Sequence, residues 1–265
     1  MSKQLEFKAK DVKAFTSWLK RFSSIDGSLL LEIDNNLKEF LAKSYNEEKS
    51  VVKFSKINFE NSGFNLITKD TPRERIKIGL YSIPQLIKTL EHFDGEFSVI
   101  FKYEDITDEG GSETAGTNIL IKSDNLKVGF ECSSLKIFKY IADDIFENVI
   151  CDMEELVGFE LKKEDIAQVV SLSTLDKDLK NMEFVNKKTG HLYAKSKSFE
   201  YLLSISSKVD ARLPFLKSQF EKIDVENYKV SIGDDRMVLT SLDATTKTVI
   251  SRLEENEYDS KEDNL

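Results

Sequence analysis

Two stretches of this chain recur in the same order, and a tandem recurrence constrains the fold more than any composition figure. Leu5-Glu6-Phe7-Lys8-Ala9-Lys10-Asp11-Val12 returns as Phe159-Glu160-Leu161-Lys162-Lys163-Glu164-Asp165-Ile166. Ile83-Pro84 returns as Leu213-Pro214. Downstream of it Leu86, Leu90, Glu91, Phe93, Asp94 and Glu96 return as Leu216, Phe220, Glu221, Ile223, Asp224 and Glu226. The second spacing is shorter by about two dozen residues, so the first copy carries extra chain, placed at Asn58 to Pro72 and in longer hairpins. With 265 residues, 40% of them hydrophobic, the length suits one large domain or two of roughly 120 residues each.

Each copy reads as strand, helix and three strands, then the same again. In the first copy Gln4–Lys8 alternates as a strand. Lys10–Phe22 is predicted helical, because Val12, Phe15, Leu19 and Phe22 recur at three- and four-residue spacing. Short strands follow at Ser28–Ile33, Leu37–Lys43 and Val51–Ile57, with Asp34-Asn35-Asn36 as a turn. The second half starts with a strand at Arg75–Tyr81. Ser82 is placed as the N-cap of a helix with Pro84 in its first turn. Strands at Glu96–Tyr103, Asn118–Lys122 and Leu126–Cys132 complete it, and Ser123-Asp124-Asn125 is a tight turn.

The second copy gives Gly158–Leu161, a helix at Lys163–Ser173, and strands near Lys180–Asn186, Leu192–Ser196 and Phe199–Ser206. A weakly marked strand at Lys208–Arg212 then precedes a helix at Leu213–Ile223. Strands at Tyr228–Ile232, Arg236–Thr240 and Thr246–Leu253 close the pattern. The boundaries that follow are 1–133 and 157–253 for the domains, 134–156 for a connector, and 254–265 for an acidic tail expected to be disordered.

Catalytic signatures are missing. No GxxxxGK, HExxH or CxxC occurs, and two histidines, His92 and His191, cannot build a multi-histidine metal site. Glu109–Gly116 has glycines without a following lysine and reads as a flexible hairpin tip. No cofactor is expected. Two cysteines in a chain this long make no disulfide framework and fit a reducing cytoplasm. No secretion signal and no run of ~18 apolar residues is seen, so a cytoplasmic protein without a membrane partner is expected.

Charge is unevenly placed. The four predicted helices and their flanks hold Lys10, Lys13, Lys20, Arg21, Lys88, Lys162, Lys163, Arg212, Lys217 and Lys222. Against these ten stand five acids, Asp11, Glu91, Glu164, Asp165 and Glu221. The helices therefore carry +5 in a chain of net −9, and the remainder carries −14. Lysine and arginine attract phosphates without reading bases, and an acidic exterior turns nucleic acid away from other surfaces.

Paired strand-helix-three-strand units, repeated across residues 4–253, resemble the PCNA-like sliding clamp superfamily. The likeness is carried by the run Phe159 to Ile166 and by the closing strands Glu226–Ile232 and Thr248–Leu253. Two domains per chain look like the trimeric clamps, and most closely those of tailed bacteriophages. The resemblance implies an α+β DNA clamp fold, two similar domains with helices on one face of antiparallel sheets. It also implies a non-catalytic processivity factor that encircles duplex DNA, tethers a DNA polymerase and is placed by an ATP-dependent clamp loader. By that resemblance the ten basic residues above face DNA. Leu41, Tyr45, Phe138, Ile141 and Leu253 are candidates for a partner-peptide pocket beside the connector. Three copies would close the ring by pairing Leu126–Cys132 with Phe199–Ser206, through Leu126, Val128, Phe130, Phe199, Tyr201 and Leu203. A viral source would place the protein in the host cytoplasm. The alternatives are a clamp-fold factor acting as monomer or dimer without ring closure, an enzyme on a duplicated scaffold, and a purely structural assembly protein.

Overall fold

The computed structural model describes residues 3–69, 71–72, 74–108, 111–142, 145–205 and 210–253. Two compact units emerge: Met1–Tyr45 with Phe54–Ala142, and Asn46–Lys53 with Asp143–Leu265.

The first unit contains β1 (Lys3–Ala9), α1 (Lys13–Ser23), β2 (Leu29–Asp34), β3 (Glu39–Tyr45), most of β4 (Val51–Asn58), α2 (Phe59–Ser62) and β5 (Phe64–Leu66). Its second half is β6 (Ile76–Leu80), α3 (Ile83–Glu91), β7 (Phe97–Asp108), β8 (Gly111–Lys122) and β9 (Lys127–Glu131). The strands lie in the order β4-β3-β2-β6-β8-β7-β1-β5, with β9 on β8. The pairs β1–β5, β1–β7, β2–β3, β2–β6, β7–β8 and β8–β9 are antiparallel, and β6–β8 is parallel. The second unit holds β10 (Val157–Leu161), α4 (Lys163–Ser173), β11 (Asn181–Asn186), β12 (His191–Lys195) and β13 (Glu200–Ile205). Then come β14 (Ala211–Leu216), α5 (Lys217–Phe220), β15 (Tyr228–Ile232), β16 (Arg236–Ser241) and β17 (Thr246–Ser251). Here β10-β15-β16-β17 and β13-β12-β11-β14 are the two strand orders. The doubled unit expected from the repeat is present in both halves. The first half's extra chain is α2, β5 and a hairpin of two twelve-residue strands.

Aromatic packing holds the first unit together. Phe7 on β1 has ring neighbours Phe40, Phe59, Phe64 and Phe101 at 5.5, 5.0, 5.8 and 5.8 Å. From α1, Phe15 reaches Phe40 at 5.0 Å and Phe64 at 4.8 Å. Phe15, Trp18, Leu19 and Phe22 form the buried stripe of that helix, and the Trp18 indole N–H donates to Ser55 Oγ at 3.0 Å. Burying a side chain of this size is worth about 2–3 kcal/mol before entropy is charged against it. The second unit has a smaller version, in which Phe184 packs against Phe159, Phe215 and Phe220.

The other face of β2 is polar and still buried. Lys43 Nζ donates to Glu32 Oε1 at 3.1 Å, and Arg75 bridges Glu32 and Asp34 at 3.4 and 2.9 Å. Burial opposes ionisation of Asp34, but the N–H groups of Leu37 and Asn36 and the Arg75 guanidinium outweigh it and hold its pKa below the usual value. The same carboxylate closes the turn expected at Asp34-Asn35-Asn36.

Several expectations are corrected. The helix predicted from Lys10 starts at Lys13, because Asp11 Oδ1 accepts the Lys13 N–H at 3.1 Å and leaves Lys10 outside. Leu213-Pro214 opens no helix. Both residues lie in β14, paired with Phe184 and Glu183, and the helix is the single turn Lys217–Phe220. Proline lacks an N–H and has a fixed φ, so a sheet-edge strand accepts it as readily as a first helical turn. The repeat instead holds at the helix ends and just beyond them: Leu90 and Phe220 in the last turn, then Phe93 and Ile223, are all buried. Gly111–Gly116 is strand, not hairpin tip, drawn along β7 and toward β6. Glu109 and Gly110, Ser206 and Lys208, and the tail 254–265 lie outside the described residues.

Gly63 ends α2 with φ +81°, and a Cβ there would fall 1.8 Å from the Asp11 carbonyl oxygen. Gly63→Ala should therefore lower unfolding free energy by at least about 2 kcal/mol in urea titrations, since neither the backbone region nor the space tolerates a side chain. An unchanged midpoint would mean the approach to Asp11 is not real.

The depressed pKa of Asp34 adds stability that is present above its unfolded value and lost as pH falls through the folded one. The stability gap between wild type and Asp34→Asn should be constant at neutral pH and narrow below about pH 4. Urea melts at graded pH measure it, and a gap that stays constant on acidification would contradict the assignment.

Candidate nucleic-acid interface

Helix burial decides which cations reach solvent. On α1 the apolar stripe turns Lys13, Ser17 and Lys20 outward, and Lys10 precedes them, also exposed. On α3 the buried residues Ile83, Leu86, Ile87 and Leu90 leave Lys88 exposed. The two helices pack side by side in the first unit. Lys10 and Lys13 share an open groove of about 840 Å³ with Thr16, Asn65, Glu91 and Asp94. Lys20 Nζ donates to Glu91 Oε1 at 2.8 Å, from one helix to the other. Arg21 is half-buried.

In the second unit Lys162 and Lys163 flank the start of α4. Lys162 lines a small recess with Glu160, Glu164 and Asn227, and Lys163 lies 3.8 Å from Glu164. Lys217 donates to the Ser173 carbonyl at 2.9 Å and lies 3.8 Å from Glu221. Lys222 is half-buried, and its carbonyl accepts from the buried Lys53, which also pairs with Asp224 at 3.0 Å. Lys10, Lys13, Lys88 and Lys162 make no ion pair among the described residues.

Arg212 is misplaced by the sequence reading. It sits on β14, where Leu213 and Phe215 face the core with Phe184 and Phe220. Alternation along a strand then turns Arg212 to the opposite face, where it pairs with the buried Glu183. The helix that would have carried it does not form there.

The pocket candidates are mostly covered. Leu41, Phe138, Ile141 and Leu253 are buried, and Tyr45 is half-buried. A 3-10 turn, Leu135–Ile141, packs on β6 and β3, and a Cβ on Gly79 would meet the Phe138 ring at 2.9 Å. Tyr45 donates to the Ile137 carbonyl at 2.8 Å and meets Tyr140 edge-on at 5.3 Å. Leu253 belongs to the second unit, where its N–H donates to the Pro214 carbonyl at 3.0 Å.

The two strands expected at subunit contacts are both sheet edges. Among the described residues β9 pairs with β8 alone, and β13 with β12 alone. Leu126 is exposed just ahead of β9, while Val128 and Phe130 are half-buried against the core. On β13, Tyr201 and Leu203 are half-buried, Phe199 precedes the strand, and the Tyr201 hydroxyl donates to Asp165 at 3.0 Å. Sequence reasoning passed over the other face of this edge, where Leu202 and Ile205 are exposed. It also counted Glu91 and Glu221 only as charges: the Lys20 partner of Glu91 is on another helix and leaves no local signal, whereas the i,i+4 spacing of Lys217 and Glu221 was there to be read. Among the described residues no helix is long and apolar enough to cross a membrane, and no three His, Cys, Asp or Glu side chains gather as metal ligands.

No family model matches the chain, and no curated protein matches it in sequence. Solved structures match its fold. The beta chain of DNA polymerase III from Streptococcus pneumoniae gives a TM-score of 0.66 at 11% identity, covering 95% of this chain and 66% of that one. The Helicobacter pylori beta clamp bound to a DNA ligase peptide gives 0.63 at 10% identity, with coverage of 94% and 66%. Proliferating cellular nuclear antigen from Entamoeba histolytica gives 0.62 at 12% identity, with coverage of 94% and 99%. This chain thus spans 66% of the length of those bacterial proteins and nearly all of the amoebal one. Its helices packed on antiparallel sheets form the clamp fold of PCNA and the beta clamp.

Proposed function

We propose that this chain is a subunit of a sliding clamp, a non-catalytic processivity factor that encircles duplex DNA and tethers a DNA polymerase. The observation that carries the reading is the set of exposed lysines on a clamp fold, Lys10, Lys13, Lys88 and Lys162, without ion-pair partners among the described residues. Cations on the helices meet phosphates without reading bases, which gives the loose, salt-dependent contact that sliding requires. Lys20, Arg21, Lys163, Lys217 and Lys222 are secondary members of this surface. Arg212 is left out, because it faces the other way.

In this reading residues 1–133 and 157–253 are the two clamp domains, joined by the connector 134–156. The near-complete coverage of the amoebal PCNA supports a two-domain subunit, three copies of which make a ring of six domains. Edge strands β9 and β13 are the proposed seam between copies; pairing them would satisfy backbone groups that otherwise invite aggregation. A clamp loader using ATP would open and place the ring. Partner peptides, as in the Helicobacter pylori clamp with its ligase peptide, would dock beside the connector near Tyr45 and Ile137. The closer likeness to tailed-bacteriophage clamps rests on the sequence pattern alone.

Two measurements test this. Sedimentation at micromolar protein should give a particle near three times 30.3 kDa. A monomer or dimer would favour the factor that works without closing a ring. Binding to a short linear duplex should weaken with salt, and Lys13→Gln and Lys88→Gln should each flatten the log–log salt slope by about 0.9 while leaving the oligomer unchanged. Unaltered slopes in both variants would remove these residues from the DNA face.

A further inference from the structure

Glu91 and Glu221 hold matching positions in the two copies, each directly after a buried apolar residue, Leu90 and Phe220; Glu91 is the last residue of α3 and Glu221 is the residue just past α5. Each carboxylate lies beside a lysine of the helical surface: Glu91 Oε1 is 2.8 Å from Lys20, and Glu221 Oε1 is 3.8 Å from Lys217. Each is about half exposed, with 46% of its side chain in contact with solvent. Glu91 is also the last residue of α3, where the partial negative charge of a helix C-terminus disfavours an acid. It further lines the groove that holds Lys10 and Lys13. Neither carboxylate is buried or needed to satisfy a buried donor, so packing does not explain an acid at the same position in both copies.

We propose that Glu91 and Glu221 act as brakes on phosphate binding, Glu91 by holding Lys20 and by setting a negative charge beside Lys10 and Lys13. This deepens the proposed function and rests on its DNA-facing helices. A clamp needs cations enough to centre on the duplex but too few to stop on it. An acid that competes with phosphate for one lysine lowers the effective count without removing the lysine. Release of Lys20 adds one phosphate contact, and each such contact steepens the salt dependence. Glu221 has less to release, because Lys217 is 19% exposed and also donates to the Ser173 carbonyl.

The test uses the full chain and a short linear duplex, with affinity followed by fluorescence anisotropy across a salt series. Glu91→Gln should tighten binding about two- to fivefold near physiological salt, the size expected for freeing one exposed ion pair. It should also steepen the log–log slope by about 0.9, whereas a purely structural role would leave the slope alone. Glu221→Gln should move both readouts the same way by less, and Glu47→Gln, on a different surface turn, should move neither. Lys13→Gln serves as the reference for the DNA face. If Lys13→Gln weakens binding while Glu91→Gln changes neither affinity nor slope, the brake is wrong and the DNA face stands. If Lys13→Gln and Glu91→Gln are both without effect, the DNA face itself falls, and the brake with it.

Discussion

The first unit depends on α1 lying flat on the sheet through Phe15, Trp18, Leu19 and Phe22. Phe15 inserts among Phe40 and Phe64, next to Phe7 at the centre of the ring cluster. Once that stripe is fixed against the sheet, the helix has no rotational freedom. Lys13 and Lys20 must then point away from the core, and so must Lys88 on the neighbouring α3. The cationic surface is thus a consequence of packing on the opposite side of two short helices. A helix of 11 residues such as α1 is marginal in isolation, so the surface exists only where the sheet holds it.

The two units solve the same packing problem with different amounts of chain. The first buries Phe7, Phe40, Phe59, Phe64 and Phe101 beside a full three-turn helix that adds Phe15 to them, and places α2 and β5 around it. The second manages with Phe159, Phe184, Phe215 and Phe220 and a single helical turn in place of α3. Gln219 makes that turn viable: its side-chain oxygen accepts the Leu216 N–H at 2.7 Å, which satisfies a donor at the helix start. With less helix there is less cationic surface, and Lys217 is partly drawn into bonds with Ser173 and Glu221. Of the four candidate lysines without ion-pair partners among the described residues, Lys10, Lys13 and Lys88 belong to the first unit and Lys162 to the second.

Electrostatics is divided between the sheet faces. Glu32, Lys43, Asp34 and Arg75 form a dense charge network on the face of β2 away from α1. Glu183 gathers Arg212 and Lys195 in the second unit. Cations in these networks are matched by acids at close range and have little field left over. On the helices and their flanks Lys10, Lys13, Lys88 and Lys162 have no ion pair among the described residues, whereas Lys20, Lys163 and Lys217 each lie beside a glutamate. The distinction between a structural cation and one available to a phosphate lies in this pairing, which composition cannot express.

Local periodicity told the order of strands and helices, the stripe of α1, the turn at Asp34 and the duplication, because each rests on neighbours within a few residues. The same information placed Lys13 and Lys88 on exposed faces. Tertiary structure alone decided that Leu213-Pro214 is strand, since proline suits either setting and the pairing with Glu183 and Phe184 comes from a distant strand. It also turned Arg212 away from the helices, joined Lys20 to Glu91 across two helices, and covered Leu41, Phe138 and Ile141. These depend on register and on contacts between residues far apart in sequence, and no local pattern records which remote partner a side chain will meet.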